Sequence, residues 1–401
     1  MIKKKIRSLL YKMGLTNNSL FFKANIYSKK KSKRILLLHK IDPFIYNLSG
    51  DFSHVNNFEI KKISEVFDEL GYIVDILDRD HKSFKPIKKY DIFLGIAAGD
   101  SGSEFSRISK LIKHKNKTSL IIPLCLGPEP QLSNSKTIIR YNNFTKRNGI
   151  SSIDFANMMR VIKKVDFDDV LELTDVIFAI GSSDKKEFGY NSYLNFNKKV
   201  YNYKPGIYFP KKINKVDNNL NKFICLAGNG FIVKGIDVII EAFMKMPQFS
   251  LTIYGPNSDT IFNQVYGRII QQYNNISYDG FIDITSSKFR KICDEHTFSI
   301  LASCSEGMCT SLMTTIGFGL IPIYTHETSV NIKDYPYIID ETDDDKILID
   351  SIIKTCTKVV KLKKSNRNKI QNKLKDFIES YHYSKFKDNF KDNFKIFLNE
   401  N

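Results

Sequence analysis

Short apolar runs alternate with amphipathic helical stretches twice along this 401-residue chain, and a segment rich in Pro, Gly, Lys and Asn, 206–221, separates the two passages. No other feature constrains the fold as much. A short apolar strand that feeds an amphipathic helix can cover both faces of its sheet only in a layered α/β domain, where sheets are mostly parallel. In the first passage strands are expected at 35–39, 72–77, 90–96, 119–126, 176–180 and 200–203, with helices at 54–70, 103–113 and 151–164. In the second, strands are expected at 223–226, 250–254, 298–302 and 321–324, with helices at 236–246 and 311–318. The resulting division is a basic arm at 1–33, a first domain at 34–205, a linker at 206–221, a second domain at 222–375 and a terminal segment at 376–401. In that last segment Phe386, Phe390, Phe394 and Phe397 recur at helical spacing, so it reads as an amphipathic helix.

A hydrophobic fraction of 42% with 26% charged residues is that of a globular chain and excludes a wholly disordered or collagen-like one. Lys and Arg outnumber Asp and Glu by 61 to 43, a formal net charge of +18, which favours polyanionic neighbours. No nucleic-acid recognition motif accompanies the charge, so nucleic acid is not an expected partner. The arm reads in two ways. It either lies on an anionic membrane surface, where each basic residue is worth about 1 kcal/mol, or is a solvated lysine-rich tail. No run approaches the roughly 18 apolar residues of a spanning helix, and the apolar run after the N-terminal lysines is too short for a secretory signal. The six cysteines lack metal-like spacing and several sit in strand-like runs, so a reducing cytoplasmic setting is expected, with peripheral attachment to the inner membrane face as an option.

Two segments carry chemistry. After the strand at 223–226 come Gly228, Asn229 and Gly230, then Lys234 immediately before the helix whose apolar face is Ile236, Ile239, Ile240 and Phe243. Glycines admit a ligand close to the backbone, helix-end amides favour anions, and Lys234 adds a full positive charge, so the loop suits phosphate; the plain reading is a strand-to-helix turn. The second segment places Glu306 after a buried strand, followed by Gly307, Met308, Cys309, Thr310 and Ser311 at the start of a helix. A carboxylate at that edge either grips sugar hydroxyls or complements the helix dipole.

Together these segments resemble the nucleotide-binding domain of GT-B glycosyltransferases of the family 4 group. The resemblance rests on Lys234-Gly-Ile-Asp237 running into Ile239-Ile-Glu-Ala-Phe243, on Leu251-Thr-Ile-Tyr-Gly255, on Asp279-Gly280-Phe281-Ile282, and on Ser305-Glu306-Gly307 leading to Gly319-Leu-Ile-Pro-Ile323. The stretch Phe52-Ser-His-Val-Asn-Asn-Phe-Glu59 is similar to a subgroup found in bacterial surface-polysaccharide loci, of capsule or lipopolysaccharide type. The resemblance implies two Rossmann-like doubly wound domains facing across a cleft, with the terminal helix crossing back to the first domain. It implies transfer of a sugar, with retention of configuration, from a UDP- or GDP-sugar to a growing glycan; the basic arm and excess charge make a polyprenyl-diphosphate saccharide the preferred acceptor, with a soluble acceptor as the alternative. No cofactor and no metal is expected. Lys234, Glu306 and His54 are the expected catalytic residues; Gly228, Asn229, Gly230, Gly280, Phe281, Gly307, Met308, Cys309, Thr310, Ser311 and Thr314 would bind the donor.

Two positions depart from the family pattern. Thr314 stands where the family has a second glutamate that holds the nucleotide ribose, and the arginine often found near the glycine loop is missing, which leaves Lys234 as the main diphosphate cation. A catalytically inactive GT-B-like partner of another transferase is therefore the alternative reading. On the acceptor side, Gly50 should face the cleft; His54 either bonds substrate hydroxyls or caps its helix; Arg140 and Arg147 either hold an anionic acceptor or are exposed. Asp78-Arg-Asp80 and Asp343-Asp-Asp345 imitate an Asp-x-Asp metal motif without its domain context and read as turns.

Overall fold

The structure, a computed structural model, describes residues 21–400 apart from 28–29, 47–51, 53, 83, 100, 164–166, 182–188, 212–218 and 341. The first sheet comprises β1 (Phe22–Lys23), β2 (Lys33–His39), β3 (Tyr72–Asp78), β4 (Ile92–Ile96), β5 (Leu120–Cys125), β6 (Val176–Ile180) and β7 (Lys199–Tyr203), in the order β1-β3-β2-β4-β5-β6-β7. All its pairings are parallel except that of β1 with β3. The second, wholly parallel, comprises β8 (Lys222–Leu226), β9 (Ser250–Tyr254), β10 (Ile276–Tyr278), β11 (Phe298–Leu301), β12 (Ile321–Thr325) and β13 (Ile338–Ile339), in the order β10-β9-β8-β11-β12-β13. In both sheets the strand order reverses beside one strand, β2 in the first and β8 in the second, which opens a crevice at the strands' carboxyl ends. These are two doubly wound Rossmann-like domains.

The strands are apolar on both faces because both are covered. Ile35 and Leu37 of β2 pack into one core and Leu36 and Leu38 into the other. Helix Val55–Glu69 covers the first face with Ile60, Ile63 and Phe67, and helix Gly102–Lys115 covers the second with Phe105, Ile108 and Ile112, each an i, i+3, i+7 stripe. The first of these cores continues without a break into the second domain.

Two expectations change. Among the described residues of the helix expected at 151–164 no α-helix forms: Phe155–Asn157 make one 3-10 turn. The helix lies earlier, at Pro130–Arg147, where Glu129 caps the Gln131 and Leu132 amides at 2.8 Å each and Pro130 occupies the first turn. Its stripe was hard to read because its buried face includes Asn134, Thr137 and Arg140 beside Tyr141 and Phe144. The arm at 1–33 is in part an edge strand: Phe22 pairs with Leu77, and the Ile26 amide donates to the Val74 carbonyl at 3.0 Å. Residues 1–20 lie outside the described residues, and no described helix is long and apolar enough to cross a membrane.

The chain crosses between domains twice. Outbound Ile207 forms a parallel bridge with returning His382, with the Ile207 amide on the Tyr381 carbonyl at 2.8 Å and the Tyr383 amide on the Ile207 carbonyl at 2.9 Å. Helix Phe386–Glu400 then packs on helix Val55–Glu69. Phe394, fully buried, meets Phe67 edge-on at 4.7 Å and Phe178 at 5.5 Å, while Lys391 pairs with Glu69 at the surface at 2.6 Å. Phe394→Ala should therefore cost about 3–5 kcal/mol, and Lys391→Ala under about 1 kcal/mol, measured by urea unfolding of the two variants.

Candidate active site in the interdomain cleft

Both crevices open into one cavity of about 670 Å³ between the domains. The first domain contributes Lys40, His54, Glu59, Arg79 and Arg160 to its walls, and the second contributes Gly228, Asn229, Lys234, Phe281, Glu306 and Thr314. Topology explains the placement: Lys40 follows β2, Arg79 follows β3, Gly228 follows β8 and Glu306 follows β11, each at a strand's carboxyl end.

Glu306 and Lys234 are brought together. The Lys234 ammonium donates to Glu306 Oε1, and both residues are buried, at 6% and 7% exposure. Ser303 Oγ donates to the same oxygen at 2.9 Å. From the first domain Arg160 completes the set, with NH1 on Oε1 at 3.0 Å and NH2 on Oε2 at 3.3 Å. Burial alone raises the Glu306 carboxyl, but Arg160 and Lys234 outweigh it and hold the group at about 2, so it is ionised at neutral pH. The carboxylate that the sequence offers either to sugar hydroxyls or to the helix dipole pairs here with both cations.

Helix Thr310–Gly317 starts at this wall with no side-chain cap, and Met308, Thr310 and Ser311 line the cavity beside its N-terminal amides. Cys309 lies behind them, its thiol 3.3 Å from Ser311 Oγ. Thr314 lines the cavity, but its hydroxyl donates to the Thr310 carbonyl at 2.9 Å, so it offers a ligand only lone pairs. Phe281 stands 61% exposed on the same wall. Gly280 lies just behind Phe281, its carbonyl taking the Gly255 amide at 2.9 Å. Gly307 is not one of the cavity-lining residues and packs onto the first domain: a Cβ there would come within 2.5 Å of the Leu126 carbonyl oxygen, so only glycine permits this approach.

On the opposite wall His54 is both a helix cap and a lining residue, with Nδ1 accepting from the Asn56 amide at 3.2 Å. Gly50 lies outside the described residues. Arg140 and Arg147 do not line the cavity. Arg147 binds Asp237 at 2.5 Å, Glu241 at 2.7 Å and also Asp345, and Arg140 approaches Asp345 at 3.9 Å, so both hold the helix Pro130–Arg147 against the second domain. The physical reason is the fully buried Asp237, whose carboxylate needs a countercharge from the facing helix. The Asp-x-Asp look-alikes are likewise engaged: Asp78 Oδ1 accepts the Asp80 amide at 2.9 Å, and Asp345 pairs with Arg147.

Sequence reasoning missed Arg160, Lys40, Arg79 and Glu59. Lys40 and Arg79 carried a usable signal, since each directly follows a strand beside the switch point. Arg160 carried none, because an expected helix spanned it. Glu59 is an acid on the apolar face of its helix: it is 2% exposed, lines the cavity and accepts the Gly206 amide at 3.0 Å.

No sequence-family model matches the chain, and no curated protein matches it. Solved structures do match in fold. Sucrose-phosphate synthase from Thermosynechococcus elongatus superposes with a TM-score of 0.59 at 12% identity, over 92% of this chain and 100% of that one. The lipopolysaccharide outer core galactosyltransferase WaaB gives 0.51 at 14% identity, over 90% and 99%. Against the pneumococcal O-GlcNAc transferase GtfA the TM-score is 0.49 at 18% identity, over 77% of this chain, which spans 57% of that protein's length. The fold is GT-B, the two-domain architecture of these glycosyltransferases.

Burial pushes the Glu59 carboxyl up to about 8 from its ordinary 4.5, against the lowering effect of the Gly206 amide. A raised folded-state value stabilises fully below the unfolded value and is lost as pH rises through the folded one. Thermal melts from pH 4.5 to 8 should therefore show the wild type losing stability relative to Glu59→Gln, with a constant gap above that window.

Proposed function

We propose that the protein is a retaining glycosyltransferase that moves a sugar from a nucleotide-diphosphate donor, a UDP- or GDP-sugar, to a growing surface glycan carried on a lipid diphosphate. The observation that carries this reading is the convergence of Lys234, the glycine loop and the uncapped start of helix Thr310–Gly317 on one wall of the interdomain cavity. That is an anion site beside a space large enough for a sugar nucleotide. The exposed face of Phe281 supplies a surface for the base. The fold likeness to a lipopolysaccharide outer core galactosyltransferase supports a glycan acceptor, and the net charge of +18 suits an acceptor at an anionic membrane on the cytoplasmic side.

In the transfer the bond between the anomeric carbon and the β-phosphate oxygen breaks and one to the acceptor oxygen forms. The acceptor proton passes to the departing diphosphate, so no side-chain base is needed. Charge grows on that diphosphate, and Lys234 with the helix-end amides is placed to stabilise it, an electrostatic contribution that usually dominates such chemistry. The first domain forms the facing wall of the cavity, and closure of the domains on a bound donor would exclude water and limit donor hydrolysis.

Calorimetric titration of the protein with UDP, GDP, ADP and CMP tests the reading. One nucleoside diphosphate should bind selectively, and Lys234→Ala should weaken it about 10- to 100-fold. Failure of all four nucleotides to bind would instead support a non-catalytic partner of another transferase.

A further inference from the structure

Resting on the transferase reading, we propose that Arg160, a residue of the first domain, is the second cation of the donor diphosphate site, which is therefore assembled from both domains. The charge balance at the cavity wall favours such a group, and of the first-domain cations that line the cavity, Lys40, Arg79 and Arg160, it is Arg160 that the structure pairs with Glu306. Lys234 is paired with Glu306, and those two charges cancel. The loop that precedes Lys234 brings no other cation, because Gly228, Asn229 and Gly230 occupy it. A diphosphate facing Lys234 and Glu306 alone would meet a site of no net charge. Arg160 makes it positive: its guanidinium shares the Oε1 oxygen of Glu306 with Lys234, so the two cations, from opposite walls, converge on one oxyanion.

The local backbone is arranged to deliver that side chain. Arg160 has φ +65°, a left-handed conformation that costs a residue with a Cβ energy and that persists only where the surroundings hold it. Its stem lies over Gly230, where a Cβ would come within 2.8 Å of Arg160 Cδ, so the glycine leaves the passage through which the guanidinium reaches the carboxylate. Beside Gly228 a Cβ would meet nothing within 4 Å, which leaves open space for a ligand next to the two cations. Arginine also suits the task chemically, since its planar fork can bind two phosphate oxygens at once, as it now binds the two oxygens of Glu306. Glu306 in this state occupies the cations as a phosphate would, and a bound diphosphate takes over part of that contact.

The test is calorimetry on the full chain with UDP, GDP, ADP and CDP, and then with the monophosphate of whichever nucleotide binds. Arg160→Met should weaken the diphosphate about 10- to 100-fold and the monophosphate less than about 2-fold, and Arg160→Lys should recover part of the loss. The Arg160→Met/Glu306→Gln double variant separates direct contact from mere neutralisation of Glu306: direct contact leaves diphosphate binding weak. Equal binding by wild type and Arg160→Met, equal losses for di- and monophosphate, or recovery in the double variant would each overturn the assignment while leaving the transferase reading intact, provided Lys234→Ala still weakens binding about 10- to 100-fold. No diphosphate binding by the wild type would overturn both.

Discussion

A carboxylate buried between two cations, one from each domain, is the interaction on which the rest of the cleft depends. Glu306 is 7% exposed and ionised, and an ion in such a place is tolerated only when countercharges and hydrogen bonds surround it. Lys234, Ser303 and Arg160 supply them, and they come from three separate stretches of chain. For these to meet, β8 and β11 must lie side by side, and the segment around Arg160 must reach across from the first domain. The switch points of the two sheets bring the strand ends to one crevice, and the charge triad then fixes the distance between its walls.

A second ion cluster secures the rim. Arg147, at the end of helix Pro130–Arg147, binds Asp237 and Glu241 of helix Ile236–Met244 and Asp345 at the start of helix Asp345–Val360. Asp237 is fully buried, and burial raises its carboxyl while Arg147 and Arg140 lower it. Asp237 lies three residues after Lys234, so the same short stretch of chain faces the cavity with one charge and the rim with the other. Position in the cleft and adhesion between domains are thereby coupled.

Much of this was legible in the sequence, for reasons that differ by residue. The strands were readable because runs such as Ile35–Leu38 are buried on both faces and need no alternation. Lys234 and Glu306 were readable because each sits next to glycine at a strand-to-helix junction, where few other roles exist. The helix Pro130–Arg147 was not, because its buried face serves an interdomain contact rich in polar groups, and periodicity looks for apolar ones. Misplacing that helix hid Arg160, and it also made Arg140 and Arg147 look available to a substrate when a buried aspartate in the other domain claims them. Charges that act across an interface leave no local pattern, since their partners are about 90 to 200 residues away.

The paired crossings have a mechanical consequence. A single linker would let one domain swivel about the chain axis as well as nod. Here the outbound strand at Ile207 and the return at His382 lie side by side, tied by backbone hydrogen bonds on both sides of Ile207, and His382 Nε2 lies 3.1 Å from the Phe209 carbonyl. Torsion would shear those bonds, whereas bending perpendicular to the ribbon leaves them intact. The joint is therefore stiff against torsion, and the facing walls of the cleft keep their register.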